Sequence, residues 1–239
     1  MEANYSHYDF NESVKRIDEI LIGSESNYQE TKTIPARDKL TFENGFYVHA
    51  CALCVDIGQS SRLPSNNKPI TLAKLYRCYI SEVVAVLKGS TNVSEIYIEG
   101  DGVWAIFNTP WQSDVDDVFS TGAQVASLID ILNNQFSHVG IAPIRVGIGM
   151  SYGEALYIKA GYKGSGINDV VWLGELVSET HELCSFADNG YDVKRTVVSS
   201  VFYDNLNEHN KSLLMRSHWR RGCFHASVVN SAMDAWLNS

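Results

Sequence analysis

Two aspartates stand where a carboxylate is costly unless something partners it. Asp56 closes an apolar run, Tyr47 to Ile57, in the string Cys-Val-Asp-Ile-Gly. A charge at such a place is expensive when left unpaired. Asp101 lies between Gly100 and Gly102, at the junction of two short β-type runs, Glu95 to Glu99 and Val103 to Phe107. If the sheet brings these run ends together, the two carboxylates can share divalent cations. Oxygen ligands of this kind suit Mg²⁺ or Mn²⁺. Two such ions can clamp the attacking and leaving oxygens of an in-line displacement. A plainer use exists for both residues: Asp-Gly makes common hairpin turns, and a strand-end aspartate can cap the following loop.

Other reactive side chains are more scattered. Cys51 and Cys54 form a CxxC pair, but they fall within the Tyr47 to Ile57 strand. Residues three apart on a strand point to opposite faces, so shared metal ligation is not expected. The five cysteines read as ordinary thiols, mostly buried, and reduced thiols fit a cytosolic protein. His181 and His225 lack the spaced partners of a zinc site. Gly58, Ser60 and Ser61 follow the Asp56 strand and could turn backbone N–H groups toward a polyphosphate, or simply make a turn. Cations for phosphate could come from Arg62, Lys163, Arg220 and Arg221, all in or near expected loops. Arg220 and Arg221 are the first choice for that role. Arg145 starts a strand and reads as structural.

Hydrophobic periodicity supplies the elements that must position these residues. Residues 1–45 read as an amino-terminal extension, with Phe10, Val14, Ile17 and Leu21 at helical spacing. After the first strand and a Gly58 to Pro69 loop, Thr71 is expected to cap a helix carrying Leu72, Leu75, Tyr79, Val83 and Leu87, stopped by Gly89. The Gly100-Asp101-Gly102 hairpin follows. A helix over Asp116 to Phe136 precedes strands at Ile144 to Met150 and Ala155 to Lys159. Then come a run at Asp169 to Leu173, a helix from Gly174 to about Ala187, and strands at Arg195 to Ser199 and Phe224 to Val229. The order strand–helix–strand–strand–helix–strand predicts an α/β (α+β) ferredoxin-like sandwich, with one sheet face covered by helices. Residues 46–239 form the main domain.

Composition narrows the function classes. With 45% hydrophobic residues in 239, the chain can bury a full core. Nineteen basic against 28 acidic residues give a net charge of −9, with no basic run to track a nucleic-acid backbone. No stretch approaches the roughly 18 uncharged apolar residues of a membrane span, and the amino terminus lacks signal-peptide order. A cytoplasmic protein that meets neither nucleic acid nor membrane is expected. A small polyphosphate substrate is compatible with the acidic balance, because divalent ions bring the missing positive charge.

Four strings carry a family resemblance. Val55-Asp56-Ile57-Gly58-Gln59-Ser60-Ser61 resembles the first metal motif of class III adenylate and guanylate cyclases. Glu99-Gly100-Asp101-Gly102-Val103-Trp104-Ala105-Ile106-Phe107 resembles the second. The segment Arg145 to Gly153 is similar to the family's Arg-(Ile/Val)-Gly-Ile-x-x-Gly strand, and Trp172-Leu-Gly-Glu-Leu-Val177 falls at its Trp-Gly-x-x-Val helix start. The motifs occur in family order over about 47 to 187. The resemblance implies a class III cyclase palm and a homodimer with active sites between two palms. Two ions, Mn²⁺ or Mg²⁺, are implied on Asp56, Asp101 and the Ile57 carbonyl.

The departures from the purine enzymes matter as much. Their base-reading Lys falls at Tyr97 and their second base-reading position at Val171. Their transition-state Asn falls at Ser178, which keeps a small polar group, and their transition-state Arg at Glu182, which reverses the charge. This pattern is similar to the pyrimidine cyclases of bacterial Pycsar anti-phage systems. That resemblance implies conversion of UTP, or less favourably CTP, to its 3′,5′-cyclic monophosphate, a messenger for a separate effector protein. Tyr97 fills volume that a purine's second ring would occupy, and its hydroxyl can donate or accept one hydrogen bond. Alternatively Tyr97 merely packs, and the chain is a degenerate nucleotide-binding module without turnover.

Overall fold

A computed structural model describes residues 5–187, 193–218 and 222–239. The strands are β1 (Tyr28–Thr31), β2 (Gly45–Ile57), β3 (Val93–Glu99), β4 (Gly102–Phe107), β5 (Val146–Gly161), β6 (Asn168–Leu173), β7 (Thr196–Ser199), β8 (Met215–Arg216) and β9 (Cys223–Ala226). The helices are α1 (Phe10–Leu21), α2 (Leu63–Asn66), α3 (Pro69–Lys88), α4 (Gln112–His138), α5 (Glu175–Phe186), α6 (Ser200–Asp204), α7 (Glu208–Ser212) and α8 (Ser231–Leu237). One sheet runs β3-β4-β2-β5-β7-β9-β8, with β1 added to β2 and β6 to β5. Its pairings are antiparallel except β1 with β2 and β5 with β7. The mixed, mostly antiparallel architecture with packed helices is the one the sequence predicts.

Strand β2 is the axis of the molecule. Its period-two alternation sends Cys51, Leu53, Val55 and Ile57 to one face and Ala50, Ala52 and Cys54 to the other. The first face packs on α3, through Leu75, Tyr79, Val83 and Leu87, and on α4, through Val118, Val125 and Ile129. Cys51 and Cys54 thus belong to separate cores, as the CxxC spacing on a strand requires.

The second face is not bare. It is covered in part by α5, through Leu176 and Cys184, and by the segment after β1, through Ile34 and Leu40. Sequence periodicity predicts helical cover on one face only. The second layer escapes it because an irregular segment supplies much of the cover. That segment is pinned by β1 alongside β2, with Tyr28 opposite Gly45, and by the Ile34 N–H donating to Asn108 Oδ1 at 2.9 Å.

Several element boundaries differ from the sequence reading: α4 is longer at both ends than 116–136, and β9 ends at Ala226 rather than Val229. Helix α3 starts at Pro69 rather than at a Thr71 cap, because proline at the first helical position loses no useful N–H. The expected strands at 144–150 and 155–159 are one strand, β5. Its unbroken register with β2, from Gly45↔Ile158 to Ile57↔Val146, carries it straight through Gly153.

The Arg-Val-Gly-Ile-Gly string owes its glycines to packing. A Cβ on Gly147 would lie 2.1 Å from the Cys184 carbonyl oxygen, and one on Gly149 2.4 Å from both Cys184 N and Thr180 O. Helix α5 therefore sits directly on the β5 backbone, where the Ser151 and Thr180 hydroxyls also hydrogen-bond. Gly149→Ala should destabilise the fold by about 3 kcal/mol, the upper range for overpacking, in urea titration. Gly153→Ala should be near neutral, since nothing lies within 4 Å of that Cβ.

Candidate active site

The hairpin places Asp101 against Asp56. Strands β2 and β4 pair with Val55 opposite Val103, and β3 and β4 close with Glu99 opposite Gly102. The turn between them is Gly100-Asp101, with Gly100 at φ +65°. Gly102 stands beside Asp56 and close to the turn: a Cβ there would lie 3.6 Å from Asp56 Oδ1, an ordinary contact, and 3.2 Å from the Glu99 carbonyl oxygen. Behind the site, the Tyr79 hydroxyl donates to the Val55 carbonyl at 3.2 Å and anchors the strand end to α3.

Two acidic groups meet here without a cation. Among the described residues neither Asp56 nor Asp101 joins an ion pair. Burial, followed by the charge and the side-chain contact of Asp101, lifts the Asp56 carboxyl to about 6, against a pull downward from the Ile57 N–H and His181. Asp101 Oδ2 is buried with no hydrogen-bond partner. An orphaned carboxylate oxygen beside a second carboxylate is the donor set of a hard divalent cation. Among the described residues no three His, Cys, Asp or Glu side chains converge on one point. The pair therefore fits an ion that completes its shell with water and substrate oxygens.

Beyond Asp56 the chain turns through Gln59, whose φ of +58° is left-handed, into a 3-10 turn at Ser60–Arg62. The Gly58 N–H is already donated to the Arg145 carbonyl at 2.9 Å. Any backbone contribution of this loop to a phosphate thus falls to Gln59, Ser60 and Ser61 rather than Gly58. Lys163 pairs with Glu43 at 3.3 Å, and Arg62 is exposed. Arg220 and Arg221 lie outside the described residues.

Tyr97 projects from β3 on the Asp56 face of the sheet. Its ring stacks on Trp104 at 4.3 Å between centroids, 16° from parallel. Its hydroxyl is buried with no hydrogen-bond partner, and so are the indole N–H groups of Trp104 and Trp172. Burial, then the charge of Glu95, pushes the phenol up to about 12, with the Trp172 indole beside it drawing the other way. Alternation along β6 brings the buried Trp172 to Tyr97, while Val171, the position the family pattern indicates, points away. One residue more stands between Trp172 and Gly174 than in the family's Trp-Gly, which shifts the register by one.

On α5, Ser178 is exposed, and its hydroxyl donates to the Glu175 carbonyl at 3.2 Å rather than to either aspartate. Glu182 is likewise exposed on that helix. His181, expected to be an ordinary polar residue, lies with its Nδ1 3.5 Å from Cys54 Sγ and its ring edge-on to Trp104. The neighbouring Cys184 thiol, opposed by burial and aided by His181, lowers Cys54 to about 7, and Cys184 itself donates to the Gly147 carbonyl at 3.3 Å.

Sequence reasoning misses Arg37 and Glu95. Glu95 is two residues before Tyr97, so it shares the buried face, and its side chain is only 9% exposed. A glutamate at an inward strand position demands a cation, and that demand was the available signal. Arg37 Nε donates to Glu95 Oε1 at 2.7 Å and its Nη2 to Glu95 Oε2, while Nη1 reaches Asp169 Oδ1 at 3.1 Å. The Tyr157 hydroxyl adds a bond to Glu95 Oε1 at 3.3 Å.

The sheet, the hairpin and the paired aspartates make this the fold of class III nucleotidyl cyclases. A guanylyl cyclase, Cya2, superposes with a TM-score of 0.64 at 17% identity, over 78% of this chain and 95% of that one. The adenylyl cyclase CyaB from P. aeruginosa gives 0.66 at 18%, over 79% and 97%. A class III adenylyl cyclase-like ATP-binding protein from Pseudomonas aeruginosa gives 0.68 at 18%, over 96% of this chain and 50% of that one. No protein-family model matches. A uridylate cyclase from Treponema porcinum is 33% identical over 234 residues, spanning 97% of this chain and 81% of that protein. Another from Gulbenkiania mobilis is 36% identical over 212 residues, spanning 86% and 82%. The chain belongs to the uridylate cyclase family and is a nucleotide cyclase, a lyase.

The raised Asp56 carboxyl gives a stability test in the metal-free protein. A folded state that holds the proton more tightly is favoured at low pH and loses that advantage as pH rises through the folded value. The loss runs from about pH 4 to about pH 6. Asp56→Asn, which cannot ionise, should show a higher Tm than the parent above pH 6 and an equal one below pH 4. Added Mn²⁺ should raise the parent's Tm and leave the variant's unmoved.

Proposed function

We propose that this protein converts UTP to 3′,5′-cyclic UMP and pyrophosphate. The observation that carries the reading is the cation-free Asp56–Asp101 pair, in a chain whose relatives are uridylate cyclases. The ribose 3′-oxygen attacks the α-phosphorus, the bond to the β-phosphate oxygen breaks, and pyrophosphate departs with release of the 3′-hydroxyl proton. Asp56, Asp101 and the Ile57 carbonyl would hold two divalent ions, Mn²⁺ or Mg²⁺, which would supply positive charge for the triphosphate and Lewis acidity at the attacking hydroxyl. The N–H groups around Ser60, with Arg220 and Arg221, steady the phosphates.

Tyr97 selects the base. Its stacked ring fills space that a purine would need, and its orphaned hydroxyl lacks the partner that a pyrimidine edge can supply. That hydroxyl is covered beside the Trp172 indole, and contact with a base requires the two to part. UTP is favoured over CTP. The working unit is a homodimer, in which Ser178 on α5 meets substrate held by the partner's acidic pair. The product serves as a messenger to a separate effector in anti-phage defence. The setting is the cytoplasm; among the described residues no helix is long and apolar enough to cross a membrane.

A second reading, nucleotide binding without turnover, draws on Glu182 at the place of a transition-state arginine. Incubation of the protein with Mn²⁺ and each of the four ribonucleoside triphosphates separates the two. Cyclic UMP by mass, with pyrophosphate, is the expected product, and Asp56→Ala should cut the rate by more than about 100-fold. Binding without pyrophosphate release would favour the second reading.

Tyr97→Phe separates base reading from packing. Removing a buried hydroxyl that has no partner should leave Tm equal or higher. The same change should raise the KM for UTP about 3- to 10-fold, the worth of one hydrogen bond. An unchanged KM would mean that the ring only packs.

A further inference from the structure

We infer that Arg37, in the amino-terminal extension, is a positioning residue that clamps β3 to β6 and thereby sets Tyr97 for the pyrimidine. The inference rests on the base-reading role proposed for Tyr97 and extends it to a segment outside the four family motifs.

The geometry is that of a strap across one end of the second core. Glu95 and Tyr97 alternate on β3 and leave the strand on the same side. Asp169 and Trp172 belong to β6, which is not a neighbour of β3 in the sheet. Arg37 bonds both strands at once, with two bonds to Glu95 and one to Asp169. A planar guanidinium spreads these three bonds over three nitrogens in a fixed fork, whereas the three donors of an ammonium share one nitrogen and cannot match that geometry. The aromatic residues couple the strap to the base-facing wall. Tyr157 donates to Glu95 and stacks on Trp172 at 4.3 Å, and Tyr97 stacks on Trp104 at 4.3 Å with its hydroxyl beside Trp172.

The backbone around Arg37 is itself held. Arg37–Lys39 forms a 3-10 turn between Ile34, tied to Asn108, and Leu40, buried in the second core. Glu95 is buried while Arg37 is half exposed, so loss of Arg37 leaves a carboxylate in the wall without its cation. The wall must then shift to hydrate Glu95, and Tyr97 shifts with it.

The test is a double-mutant cycle on steady-state kinetics with UTP. Arg37→Met should raise KM about 10-fold with kcat within about twofold, and Arg37→Lys should fall between. Combined with Tyr97→Phe, the KM should be no worse than that of the poorer single variant, because both act on one contact. KM effects that multiply, or an unchanged KM in Arg37→Met, would overturn the inference. Should Arg37→Met not fold, Asp169→Asn loosens only the β6 limb at an exposed carboxylate. It should raise KM about 2- to 3-fold, and no rise would overturn the clamp.

A wild-type protein that turns over none of the four triphosphates would instead refute the functional reading. The clamp is then decided by amide hydrogen exchange: faster exchange across β3 and β6 in Arg37→Lys supports it, and unchanged exchange overturns it.

Discussion

Two carboxylates held together without a positive partner constrain the rest of this molecule. Bringing Asp101 onto Asp56 relies on the hairpin turn at Gly100, a tight corner at Gly102 against the Glu99 carbonyl, and a strand end braced by Tyr79. Each of these works against electrostatic repulsion that a looser strand end would relieve by moving apart. Burial first, and the charge of Asp101 second, raise the Asp56 carboxyl. Folding thus maintains an arrangement that is unfavourable in isolation and that bound cations would offset.

The two faces of β2 divide the labour. One face, packed on α3 and α4, builds the larger core. The other carries the proposed site: Asp56, Tyr97 and the two tryptophans leave the sheet on this side, beside Cys54 and α5. Close approach of α5 depends on Gly147 and Gly149, so that a packing requirement in β5 also sets where Ser178, His181 and Glu182 stand. The extension completes the same face through Ile34, Arg37 and Leu40. Helix α1 stands apart from both cores, with Phe10, Ile20 and Leu21 exposed.

Much of this was legible from residue order. Period-two runs separated by Gly100-Asp101-Gly102 specify a hairpin, and the polar residue closing an apolar strand marks Asp56. The CxxC spacing on a strand forecasts two thiols in separate cores. What escaped was of two kinds. Contacts made by irregular chain have no period, so the cover supplied by 34–40 and the Arg37 strap leave no pattern to read. Register also hides from single strands. The continuity of β5 through Gly153 comes from β2 alongside it, and the exchange of Val171 for Trp172 beside Tyr97 comes from one extra residue before Gly174. Glu95 was the missed clue, an acidic residue placed by alternation on a buried face.

The central claim is that Asp56 and Asp101 jointly ligate divalent ions, and anomalous scattering from crystals grown with Mn²⁺ and a non-reactive UTP analogue tests it most directly. The account predicts anomalous density bridging the two carboxylates, with oxygen distances of about 2.1 Å. Density bound elsewhere, or two aspartates turned apart with no metal between them, would contradict it.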